Sequence, residues 1–200
     1  MRFTILPAAL CCAAVLAFGA TSMQTGKVTL KSAGALAIGP EGVLFVGDSV
    51  GGAIYALDVN DRGAVKAGGT VEVKGINEKI AAMVGTTADQ IAIRDVVVNP
   101  TSKNIYLAVA RGKGPEAVPV ILRVDASGKL SEIALESIKH ASVALADQPT
   151  QDRQRMETIT QLKYVDGKVM IAGLSNEEFS SSLRAIPYPF QDASKRPWDP

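Results

Sequence analysis

The chain has 200 residues, with 21 basic against 20 acidic side chains, two cysteines and a single histidine. This near-neutral balance, with no basic cluster, argues against nucleic acid as a partner, and after the N-terminal segment no apolar run reaches membrane-spanning length. A Ser-His-Asp triad or a histidine-ligated zinc site would have to depend on His140 alone, whereas zinc and copper sites usually need more nitrogen or sulfur ligands.

Residues 1–22 read as a secretory signal peptide. Arg2 gives the positive start, "FTILPAALCCAAVLAF" the uncharged apolar stretch, and "AFGATS" the small residues around a cleavage point. Cys11 and Cys12 raise a lipid-attachment reading, but Leu10 and Cys11 stand where that processing wants a small residue. Both cysteines leave with this segment. The exported chain, secreted or periplasmic, would then have no disulfide, no thiol nucleophile and no cysteine metal site. Arg2 leaves too, so basic and acidic residues balance. The remaining residues 23–200 suffice for one domain with a sizeable core.

Three segments of that domain share a pattern: residues 34–63, 94–128 and 160–190. Each has an apolar strand, a short turn, a second apolar strand, a variable loop and a third strand, and Phe45, Leu107 and Ile171 hold equivalent places. The first two units add a fourth strand, at 67–73 and 130–137. The second strands "VLFV", "IYLAV" and "VMIA" are continuously apolar, which implies burial on both faces. Four-stranded sheets repeated radially bury their strands in this way, so an all-β propeller is expected, with blades at about 33–74, 92–137 and 158–190. Between the first two blades, "NEKIAAMVG" predicts a helix that starts at an Asn77 cap and stops at Gly85, with Ile80, Met83 and Val84 on its packed face. "TTADQ" predicts a short turn capped by Thr86 or Thr87.

"GPEGVLFVGDSVGGAIYALD" (39–58) resembles the blades of NHL-repeat and YVTN-type propellers, with their proline–glycine turn, "YVAD"-like second strand and "I-x-x-x-D" third strand. The resemblance implies a fold shared with gluconolactonase-type hydrolases, quinone-dependent dehydrogenases and binding scaffolds, and does not choose among them.

Three blades are fewer than the roughly four to eight usual for this architecture. "KVTLK" (27–31) is expected to form a short strand that fills the missing fourth place of a final blade. The chain is then read as part of a longer propeller, with self-association of two copies into one ring as the alternative. An open stack would leave a blade face and strand edges exposed.

Within a blade, strand direction alternates. The turns between first and second strands, "GPEG", "NPTSKN" and "VDGK", are short and share one end. The loops between second and third strands, "DSVGG", "ARGKGPEAVP" and "LSNEEFSSS", share the other end with the connections 75–93 and 138–158. Elaboration on one end of a rigid scaffold is where binding is expected.

Candidate residues sit on those loops. Asp48 and Ser49 open the first; Asp48 can hold a cation or hydroxyl, or accept backbone N–H groups of its own turn. Arg111 and Lys113 stand between glycines in the second, where charge and backbone N–H groups suit an anion but follow no nucleotide-binding spacing. Asn176, Glu177 and Glu178, on the third, are hard oxygen ligands of the kind Ca2+ takes, and suit a solvated surface equally. Two functions follow. One is a scaffold for a protein or small-molecule ligand, free of the membrane once the signal is cleaved. The other is a calcium-dependent lactonase-type hydrolase drawing on Asp48, Asn176 and Glu177. A quinone-bearing redox propeller is a third, although no residue specifies the chromophore.

Overall fold

The computed structural model describes residues 23–64, 71–176 and 181–190; the predicted signal segment and strand positions 67–70 lie outside them. The strands are β1 (Gln24–Gly26), β2 (Leu36–Ile38), β3 (Leu44–Asp48), β4 (Ala53–Leu57), β5 (Ile91–Val98), β6 (Ile105–Arg111), β7 (Val118–Val124), β8 (Leu130–Glu132), β9 (Ile138–Ala144), β10 (Gln161–Val165), β11 (Lys168–Leu174) and β12 (Ser181–Pro187). Helix α1 spans Ile76–Val84 and the single turn α2 spans Asp152–Arg155. The strands form three antiparallel sheets ordered β1-β9-β4-β3-β2, β5-β6-β7-β8 and β10-β11-β12, none of which closes on itself.

The five-stranded sheet lies between the other two. One face carries Leu44, Val46 and Leu57, which pack against Tyr106, Ala108 and Ile121 of the four-stranded sheet. The opposite face carries Phe45, Ile54 and Ala56, which pack against Leu162, Val169 and Ile171 of the three-stranded sheet. Strand β3 is buried along its whole length because successive side chains enter different cores. This meets the expectation drawn from "VLFV". Leu44, Phe45 and Val46 each contribute roughly 1.5–3 kcal/mol by leaving water. The far face of the four-stranded sheet is covered by α1, where Ile80 meets Leu107, Val109 and Leu122.

The second and third repeats form separate sheets as predicted, β5 to β8 and β10 to β12. The first repeat differs. Residues 71–73 form no strand, and the place beside β4 belongs to β9, paired from Ala53↔Ala144 to Leu57↔His140. The chain finishes the four-stranded sheet, returns to complete the central one, and only then enters the third. His140 therefore lies buried in a strand, its Nδ1 3.0 Å from the Ile138 carbonyl. "KVTLK" is not a strand either. The N-terminal strand is Gln24–Gly26, and it extends the central sheet beyond β9 rather than completing the third.

Helix α1 is bounded by Gly75 and Gly85, both left-handed, so Gly75 and not Asn77 occupies the N-cap. Its packed side carries Ile76, Ile80 and Val84, while Met83 is exposed. The predicted turn after it is present over Ala88–Gln90, with Thr87 at its N-cap position. The Thr87 hydroxyl binds the Asp89 carboxylate at 2.6 Å instead of a backbone N–H.

A candidate ligand site in the cationic cleft where the sheets meet

At the end of β3, Asp48 is almost fully buried. Its Oδ2 accepts from the Lys31 N–H (2.8 Å). Its Oδ1 accepts from the N–H groups of Ser32 and Gly51 (2.8 Å each) and from the Ser32 hydroxyl (2.9 Å). One carboxylate thus fixes the incoming segment 31–32 against the turn after β3. Three of the four donors are main-chain groups that would otherwise be orphaned. Ser49 makes a second stitch. Its hydroxyl donates to the Ile159 carbonyl (3.0 Å) and accepts from the Ile159 N–H (3.3 Å), so the approach to β10 is held against the central sheet. The same approach crosses Gly173 so closely that a Cβ there would run into the Thr158 carbonyl.

These stitches frame a cleft of about 410 Å³. Its wall includes Ser49, Val50 and Ala33 from the central sheet's loops, Ala110, Ala117 and Pro119 from the four-stranded sheet, and Met156 and Ile159 from the approach to the third. Three cations join the lining: Lys31, Arg94 and Arg155. Among the described residues no lining residue is acidic.

Each cation has a fixed backbone. Lys31 is held through its N–H by Asp48. Arg94 falls at a register shift between Ile93 and Asp95 in the β5–β6 pairing; a bulge of this kind re-aims one side chain. The next residue anchors the bulge, since the Asp95 carboxylate accepts from the N–H groups of Leu36 (2.7 Å) and Val96 (2.8 Å). Arg155 ends α2, and its carbonyl accepts from the Thr158 hydroxyl at 2.8 Å. The Arg155 Nε is buried and has no hydrogen-bond partner among the described residues.

Arg111, Lys113 and Asn176 do not line this cleft. Arg111 donates from Nη1 to the Val84 carbonyl (3.0 Å), so it caps the end of α1. Lys113 pairs with Asp89 across 3.6 Å at an exposed position. Asn176 is exposed and donates its N–H to the Asp147 carbonyl (3.1 Å). Glu177 and Glu178 lie outside the described residues. Among the described residues no three His, Cys, Asp or Glu side chains gather as a metal site would require.

Sequence reading missed a second buried carboxylate, Asp61, at the opposite end of the strands. Its Oδ2 accepts from Asn99 Nδ2 (2.9 Å), the Ser102 hydroxyl (2.6 Å) and the Tyr106 hydroxyl (2.8 Å), and its Oδ1 from Asn104 Nδ2 (2.9 Å). Burial, then the hydrogen bond and the charge of Asp61, raise the Tyr106 phenol well above its ordinary range. The signal was present in the polar turns "VNDRG" and "NPTSKN", but nothing local shows that they meet.

Comparison with protein-family models, with curated proteins and with solved structures finds no match to the chain.

Proposed function

We propose that this chain is an exported ligand-binding protein built as part of a propeller-like stack, holding a small molecule in the cleft where the three sheets meet. The observation that carries the reading is the cleft itself. It opens among the loops after β3, between β6 and β7, and ahead of β10, at the end where loop elaboration pointed. Its volume falls in the range of small-molecule sites, and an apolar wall with a few polar groups is their usual composition. The propeller-like design is supported by the repeated three-strand unit and by face-to-face packing of consecutive sheets. Export rests on the N-terminal sequence pattern alone. The hydrolase alternative gains no support, because the Asp48 carboxylate already accepts from four protein donors.

The test is to fill the cleft. Residues 23–200 should bind the neutral fluorophore N-phenyl-1-naphthylamine saturably, at one site per chain. Ala117→Trp should abolish that binding without lowering the melting temperature by more than a few degrees. Equal binding by the filled variant would place the site elsewhere.

A further inference from the structure

The charge pattern of the cleft narrows its ligand. Among the described residues five cations pair with carboxylates: Lys27 with Glu136, Arg62 with Asp58 and Glu41, Lys74 with Glu72, Lys113 with Asp89, and Arg184 with Asp147. The three cations of the cleft are not among them, and neither are exposed cations such as Lys79 and Lys163; what sets the three apart is that they line one cleft. Lys31, Arg94 and Arg155 come from three separate stretches of chain, and among the described residues the lining offers no carboxylate to any of them. Three like charges on one wall repel one another in the empty protein, and an anion between them removes that repulsion.

The two arginines add direction. A guanidinium presents a planar fork of N–H donors that matches a carboxylate, sulfonate or phosphate group, and the Arg155 Nε has no partner among the described residues. A buried donor without a partner is costly, so a ligand oxygen there recovers more than an exposed contact would. Most of the remaining wall is apolar, through Val50, Ala110, Ala117, Pro119, Met156 and Ile159, with Ser32 and Ser49 as its neutral polar members. Met156 is 59 % exposed at this site, and methionine is the side chain that adapts most readily to an irregular apolar surface.

We infer that the cleft takes a small organic anion with an apolar body, its acid group held by Arg94, Arg155 and Lys31 and its body laid against the methionine and alanine wall. This inference rests on the reading of the cleft as the ligand site and specifies the ligand's chemistry. The backbone anchors described above, the Asp48 carboxylate, the β5 bulge and the Thr158 hydroxyl, fix where the three charges start before any ligand arrives. Such preorganisation lowers the ordering cost of binding.

The test compares two fluorophores of similar aromatic body, one carrying a sulfonate and one neutral: 8-anilinonaphthalene-1-sulfonate and N-phenyl-1-naphthylamine. Both are titrated into residues 23–200, with circular dichroism and the melting temperature confirming that each variant is folded. The sulfonate should bind at least about tenfold more tightly than the neutral probe, as charge-assisted hydrogen bonds allow. Arg94→Gln and Arg155→Gln, made separately, should each weaken the sulfonate about tenfold and leave the neutral probe unchanged. Lys163→Gln, outside the cleft, should change neither. Equal affinity for the two probes, unaffected by either arginine substitution, overturns the anion assignment while leaving the cleft as a site. Loss of the neutral probe's saturable binding, or its persistence in Ala117→Trp, overturns the site and the anion assignment together.

Discussion

The two ends of the strands use buried carboxylates for opposite purposes. At one end Asp61 draws four side-chain donors into a closed knot that locks the turns of two sheets together. The cation beside it is neutralised as well, since Arg62 reaches Asp58 at 2.9 Å and Glu41 at 3.8 Å. At the other end Asp48 spends its capacity on main-chain N–H groups. The cations near it meet no carboxylate among the described lining residues. One end is internally satisfied and serves the fold. The other is rigid in its backbone and unsatisfied in its side chains, the combination that a binding site requires.

Removing each carboxylate in turn would sharpen that contrast. Asp61→Ala strands buried amide and hydroxyl donors at the junction of two sheets, at roughly 1–3 kcal/mol for each group left unsatisfied. The expected loss is about 4 kcal/mol in urea unfolding, with probe affinity unchanged in the fraction that stays folded. Asp48→Ala frees the segment at Lys31 and Ser32. It should cost about 2–3 kcal/mol and also weaken the anionic probe, because Lys31 loses its anchor. Equal effects of the two substitutions on probe affinity would erase the distinction between the ends.

A smaller effect follows from Tyr106. Its folded-state pKa is raised, first by burial and then by Asp61, above the ordinary 10.0. Below pH 10 both folded and unfolded chains keep the phenol proton, and its contribution to stability is complete. Above that pH the unfolded chain releases the proton while the folded chain retains it, so stability falls as pH rises. Chemical unfolding between pH 9 and 11.5 should show this decline. Tyr106→Phe should be less stable at neutral pH and should lose less stability over the alkaline range. A parallel decline in both proteins would assign the alkaline loss to other groups.

What the sequence disclosed was local. Continuous apolar runs marked strands buried on both faces in β3 and most of β6, whereas "VMIA" of β11 buries only Val169 and Ile171 because the third sheet keeps an open face; short turns marked the repeat unit, so the strands of the second and third sheets were readable one by one. The fourth strand of the central sheet was not. β9 carries Lys139, His140 and Ser142 among its residues, a weak strand signal, and its partner β4 is distant in the chain. No periodicity encodes a pairing of that separation.

The site was legible to the same degree. The loop-rich end was identified, and Ser49 does line the cleft. The cations that give the cleft its character sat in segments where they were not singled out: Lys31 in an expected strand, Arg94 at the start of a repeat, Arg155 in a connection between blades. Their meeting depends on a bulge, a single helical turn and a buried aspartate, which together set geometry that composition cannot show.

The most direct test of unlike ends is an amide chemical-shift map of isotopically labelled residues 23–200 during titration with 8-anilinonaphthalene-1-sulfonate. The account predicts shifts concentrated at residues 31–34, 49–50, 94 and 155–159, with none around Asp61, Asn99 and Asn104. Shifts centred on the Asp61 knot, or spread over the exposed face of the third sheet around Leu183, would contradict it.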